Sequence, residues 1–277
     1  MRTRTLLPLL LILSLVAAPW ARAGDGLADL PTAWAAGRTD ARASCLLLGD
    51  AVAPATPDQV VLARTLASVR RDARIGAPLL EHAVHLGVGV CLDAYDRACD
   101  GVFVCDQNVI LLDADLDDGL RTAILVHELR HVDQAATGYR MDMDYDVHAA
   151  RTLLCACEAD AQAMATWFAW RLREAGDPRP WMALRAHPHY TDIAGAFEAA
   201  IQLGADEPIA ARIAFTAWYA SDWRVWTYRF TAAMAYYHRQ DKDHLLPSDG
   251  PFPDGYFAEF GRLPDGTFYG VEPRSVR

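Results

Sequence analysis

Lysine is nearly missing from this chain of 277 residues: Lys242 is the only one, and arginine supplies the rest of the 26 basic residues against 36 acidic ones. A formal charge of −10 leaves no basic face to neutralise phosphates, so nucleic acid is not expected as a partner. Beyond residue 20 no apolar run is long enough to cross a bilayer, so no membrane span is expected after signal cleavage. The cysteines never fall into paired CxxC spacing, which argues against a thiolate zinc knuckle. Internal repeats and low-complexity linkers are absent as well, in keeping with one compact domain.

What is present begins with MRTRTLLPLLLILSLVAAPWARAGDG, a basic start, an apolar stretch from Leu6 to Trp20 and the small-residue site Ala21-Arg22-Ala23. That layout is a secretory signal peptide over residues 1–23 and places the mature protein outside the cytoplasm, secreted or periplasmic. Its removal takes away Arg2, Arg4 and Arg22 and no acid, moving the formal charge from −10 to −13. Cys45, Cys91, Cys99, Cys105, Cys155 and Cys157 all lie in the exported part, where two or three disulfides can persist. Cys155 and Cys157, two positions apart on one expected helix, point in different directions and should not bond to each other.

With 52% hydrophobic and 22% charged residues the chain can bury one good-sized core. Residues 24–55 read as an N-terminal extension and 56–176 as the core. Residues 177–246 read as a C-terminal helical part of the same domain, and 247–277 as an irregular tail rich in proline and glycine. Thr56-Pro57-Asp58-Gln59 is an N-terminal capping pattern for a helix running towards Gly76, and a shorter helix follows from Pro78 to Leu86, stopped at Gly87. VGVCL, GVFVC and NVILLD are strand-like, the last two forming a hairpin across DQN. Helices are expected over 117–137 and 146–174, ended by Gly138 and Gly176, and then over 192–203 and 206–240. The aromatic stripe of the last one, including Trp218, Trp223, Trp226, Tyr228, Phe230, Tyr236 and Tyr237, reads as core. The fold class is α+β, predominantly helical, with a small mixed sheet beside the helix that carries the chemistry.

That helix contains VHELRHVDQ. At roughly 100° per residue, Leu125, Leu129, Val132 and Ala136 form one apolar stripe, and His127 and His131 fall on the opposite side about 40° apart. Leu120, Ala123 and Ile124 cover that side too, so the histidines look into a cleft. Two imidazoles one turn apart can reach one ion, and zinc accepts two such nitrogens. A catalytic zinc also wants a third protein ligand. On the next long helix Glu158 lies beside the apolar face of Leu154, Cys157, Ala161, Ala165 and Phe168, where an isolated carboxylate is costly and a cation would stabilise it. Gln162, one turn later, can buttress that carboxylate or a ligand ring, and Asp160 points elsewhere. Glu81, His82 and His85 lack this register and read as the polar edge of a helix.

HELRH followed by Glu158 in an EADA segment resembles the glutamate-ligand zincin metallopeptidases, the group that contains thermolysin, and in particular uncharacterised bacterial metallopeptidase domains of that type. The resemblance implies His127, His131 and Glu158 as zinc ligands, Glu128 as general base, a peptide or protein substrate, and an edge strand, NVILLD or GVFVC, along which a peptide adds. The metzincin pattern is rejected, because its glycine and third histidine would fall on Gln134 and Thr137. Of the aspartate-ligand GTxxDxxYG segment, Gly138, Asp142 and Tyr145 remain while Tyr139 and Asp146 break it, which leaves Asp142 as the rival third ligand. Tyr139, Tyr145 and His148 are oxyanion candidates by proximity in sequence, and Arg130 reads as solvated or as a partner for a substrate carboxylate. The leading reading is an exported zinc metallopeptidase. The alternative is a non-catalytic binding or inhibitory module that keeps the architecture and the metal site. N-terminal sequencing of the exported protein should find Gly24 first, and a mature chain that retains Met1 would contradict the signal assignment.

Overall fold

A computed structural model describes residues 41–50, 53–93, 99–246, 248, 250–271 and 273. The signal peptide and most of the N-terminal extension lie outside the described residues.

Four strands form one mixed sheet: β1 (Cys45–Leu47), β2 (Gly89–Asp93), β3 (Gly101–Val104) and β4 (Val109–Asp113), in the order β1-β2-β4-β3. β2 and β4 run parallel, while β1 and β3 are antiparallel to their neighbours. The β3–β4 hairpin turns at Asn108, whose left-handed backbone is tolerable for asparagine and whose amide donates to the carbonyls of Leu86 and Gly87. Strand alternation divides the residues between two faces. Val90, Leu92, Phe103, Ile110 and Leu112 face the main core, whereas Cys45, Cys91, Val104, Val109 and Leu111 form a smaller cluster on the other side. Cys45 and Cys91 are opposite each other in the β1–β2 register and form a disulfide. β1 had no counterpart among the expected strands, because three residues are too few to show alternation. Of the two strands considered for the sheet edge, NVILLD is central and GVFVC is the edge.

Among the described residues there are eight α-helices, α1 (Pro57–Arg70), α2 (Gly76–His85), α3 (Asp118–Ala136), α4 (Val147–Glu174), α5 (Arg179–Ala186), α6 (Thr191–Gln202), α7 (Glu207–Trp218) and α8 (Asp222–Lys242), of which α1 and α3 pack directly on the sheet. Their ends follow capping chemistry. Thr56, Asp117, Asp146, Asp206 and Ser221 each accept a backbone N–H two or three residues into the helix they open. Gly87, Gly138 and Gly176 close α2, α3 and α4 at positive φ, the left-handed cap that only glycine adopts without strain. The single helix expected over 206–240 is two, since the chain turns at Tyr219 and Ala220 and restarts at the Ser221 cap. α5 also had no sequence counterpart.

α4, 28 residues and roughly 42 Å long, runs through the centre, packed on α3 along one side and on α7 and α8 along others. It is buried almost throughout, and alanines at 156, 159, 161, 163 and 165 let its neighbours approach closely. The aromatic stripe is only partly core: Trp218 and Tyr236 are buried, but Trp223, Trp226 and Tyr237 are more than half exposed. The tail is irregular as expected, yet Phe260, Leu263, Tyr269 and Val271 insert into the main core.

His82 of α2 shares a hydrogen bond of 2.7 Å with Asp133 of α3, and this contact raises the histidine pKa against the opposing effect of burial. A histidine pKa raised on folding contributes stability that is full below its ordinary value of 6.5 and disappears as pH rises through the folded value. Wild type should therefore exceed His82→Gln in melting temperature most in mildly acidic buffer, with the gap closing as the medium becomes alkaline. A gap that stays constant with pH would exclude this linkage.

Candidate metal centre

α3 begins directly after β4 and lies under the edge strand β3, which places the middle of the helix beside the sheet edge. His127 and His131, one turn apart, meet edge to face, and their Nε2 atoms are 3.0 Å apart. From α4, Glu158 brings Oε2 to 3.5 Å from His127 Nε2 and Oε1 to 3.5 Å from His131 Nε2. These separations are close to the edge of about 3.3 Å in a tetrahedron whose corners lie about 2.0–2.1 Å from a central ion. Two nitrogens and a carboxylate thus converge as a cation requires, and the donor set suits zinc. Among the described residues these three are the one group of its kind.

The electrostatics agree with that geometry. Burial pushes the Glu158 pKa up, but the two imidazoles outweigh it and hold the carboxylate below its usual range. Burial lowers His127, and the Glu158 carboxylate, helped by Glu128, more than reverses the effect. His131 ends low, because burial outweighs Glu158 there. Cys155 is pushed up to about 12 and Cys157 well above its ordinary value, both chiefly by burial, so the nearby thiols stay protonated.

Each ring is backed by a glutamine. Gln134 uses both amide hydrogens, donating to the Cys157 carbonyl at 3.0 Å and to Asp160 at 2.7 Å. Its Oε1 must therefore accept from His131 Nδ1, 2.8 Å away, and that tautomer leaves the His131 Nε2 lone pair facing the convergence point. Gln162 lies beside His127 and raises the proton affinity of its ring. The His127 Nδ1 and Gln162 Oε1 atoms are both buried without another partner. Behind Gln134, Asp160 also accepts from Arg130 Nε at 2.6 Å and from the Tyr269 hydroxyl, while Arg130 reaches Asp133 and donates to the Arg262 carbonyl.

Glu128 lies along β3. A Cβ on Gly101 would stand 2.6 Å from Ile124 and 3.1 Å from Glu128 Oε1, so only glycine lets the strand come this close. Burial pushes the Glu128 pKa up to about 7, with the charge of His127 and a hydrogen bond from the Phe103 backbone opposing the rise. Two tyrosines close the opposite wall. Tyr228 of α8 donates to Glu158, and Tyr190 donates to Asp100 at 2.7 Å while feeling the charges of Glu128 and Glu158.

Other residues singled out in the sequence lie elsewhere. Asp142 is exposed, accepts from the Asp144 backbone, and is not in the convergent group. Tyr139 and Tyr145 pack with Tyr256 of the tail, and His148 is exposed. Arg130 is neither solvated nor available to substrate, because it is buried between two carboxylates. Gln134, Tyr190, Tyr228 and Asp100 were not anticipated. Only Gln134 carried a local signal, three residues after His131 on the same helical face.

A family described as "Putative metallopeptidase family (DUF6782)" matches residues 39–271. No curated protein and no solved structure matches the chain. Replacing Gln134 with leucine should weaken binding of a divalent probe such as cobalt roughly 10- to 100-fold, measured by competition with a chelating dye. Unchanged affinity would refute the role given to this glutamine.

Proposed function

Because the chain belongs to this metallopeptidase family, we propose that it is an exported zinc-dependent peptidase of the glutamate-ligand zincin type. His127, His131 and Glu158 hold the ion and Glu128 is the general base. The observation that carries this reading is the convergence of the three donor atoms beside a buried carboxylate at the sheet edge. Two neutral imidazoles and one carboxylate form a donor set typical of catalytic zinc, which also keeps a position open.

Zinc held by His127, His131 and Glu158 would supply Lewis acidity for activating water and the substrate carbonyl. Glu128, held by the Phe103 backbone, takes a proton from the attacking water and delivers it to the departing amine. Tyr228 fixes the Glu158 carboxylate, and Gln134 fixes the His131 tautomer. Among the described residues β3 has no partner strand on its outer edge, so an extended peptide adds along it next to Glu128. The Cys45–Cys91 disulfide suits an oxidising compartment and supports export. A purely binding module has no use for a buried base pressed against that edge, which favours the enzyme.

Zinc analysis and turnover of a mixed peptide library test the assignment together. Glu128→Gln should keep about one zinc per chain and lose roughly 10²–10⁴-fold in rate. Glu158→Ala should lose the metal, and Asp142→Ala should keep both metal and activity. Equal cleavage by wild type and Glu128→Gln, or metal loss in Asp142→Ala alone, would overturn the assignment.

A further inference from the structure

An open, shallow cleft is bordered by His131 of the ligand triangle. Its walls come from Cys105 past the end of β3, from Tyr139 and Met141 after α3, and from Leu153 and Leu154 on α4. Arg140 also borders it, partly buried in the segment just after the Gly138 cap. Its guanidinium stands close enough to the Cys105 thiol to draw that pKa down, against the burial and the Asp106 charge that raise it.

Several arginines of this fold are paired. Arg130, Arg171, Arg173, Arg179 and Arg224 each hold a carboxylate. Among the described residues no carboxylate stands within ion-pair reach of Arg140, although acids outnumber bases 36 to 26 in the sequence. Partial desolvation of an unpaired guanidinium is unfavourable, and its planar fork matches one class of partner, a carboxylate held by two parallel hydrogen bonds. The apolar walls beside it match an aliphatic or aromatic side chain.

We propose that this cleft is a substrate subsite for a peptide segment in which an apolar side chain neighbours a carboxylate. The side chain fills the space between Tyr139, Leu153 and Leu154, and the carboxylate pairs with Arg140. Because His131 borders the same cleft, the occupant lies against one of the three ligand residues, and Arg140 selects substrate without taking part in chemistry. This rests on the zinc peptidase reading for its place in a reaction. The carboxylate is either the C-terminus of the peptide or an acidic side chain.

Calorimetric titrations of the zinc-loaded full-length mature protein, in a Glu128→Gln background that prevents turnover, separate these possibilities. Three probes differ only in the carboxylate: acetyl-Gly-Phe acid, acetyl-Glu-Phe amide and the neutral acetyl-Gly-Phe amide. One of the two acids should bind roughly tenfold or more tightly than the neutral amide, and which one does so identifies the source. Adding Arg140→Gln should abolish that advantage and leave the affinity for the neutral amide unchanged. Ala150→Phe, which fills the cleft, should weaken all three. The proposal is overturned if the three bind alike, if none binds, or if the advantage survives Arg140→Gln, which would place the carboxylate on the metal. Failure of the peptidase reading shows separately, in metal content and in cleavage by the Glu128 parent.

Discussion

Where α3 meets α4, seven polar side chains are buried together: Glu128, Arg130, Asp133, Gln134, Glu158, Asp160 and Gln162. Burying such groups is tolerable only when each has a partner, because an unpaired one costs about 1–3 kcal/mol and a lone charge more. Arg130 compensates Asp133 and Asp160, Asp160 orients Gln134, and Gln134 orients His131. The triangle of His127, His131 and Glu158 is the remaining part of this layer. Its three donor groups converge on a space that could hold a cation.

The rest of the architecture serves that layer. Alanines along α4 bring its backbone near α3, and Gly101 lets the edge strand settle onto Glu128. The tail, irregular as it is, contributes Tyr269 to Asp160 and the Arg262 carbonyl to Arg130, so residues more than a hundred positions downstream hold the metal helix in place. α8 adds Tyr228 on the opposite wall. A site assembled from so many segments depends on the whole fold, and local changes in the tail reach the ligands through one hydrogen-bonded chain.

Much of this was legible in the sequence because it is local. Caps and glycine stops set the ends of α3 and α4 to within a few residues, while α1 stops at Arg70, six residues short of the expected Gly76, which instead opens α2; short β-rich runs between turns marked three of the four strands. The helical period placed His127 and His131 away from the apolar stripe, in a helix covered on both sides, and placed Glu158 at an edge next to an apolar face. What escaped is what depends on distance. Tyr228 is 70 residues from Glu158, and nothing in periodicity connects them. Arg130 read as solvated because its partners, Asp160 and the Arg262 carbonyl, come from other segments. The division between α7 and α8 was hidden by alanines and aromatics that carry the apolar pattern across the Ser221 cap.

The central claim is that two imidazoles and one carboxylate, with no thiolate, surround a single ion between α3 and α4. X-ray absorption at the zinc edge on the purified protein measures that shell directly. The account predicts nitrogen and oxygen neighbours only, at roughly 2.0–2.2 Å, with the imidazole scattering of two histidines. Protein that retains no zinc, or a sulfur neighbour near 2.3 Å from Cys155 or Cys157, would contradict it.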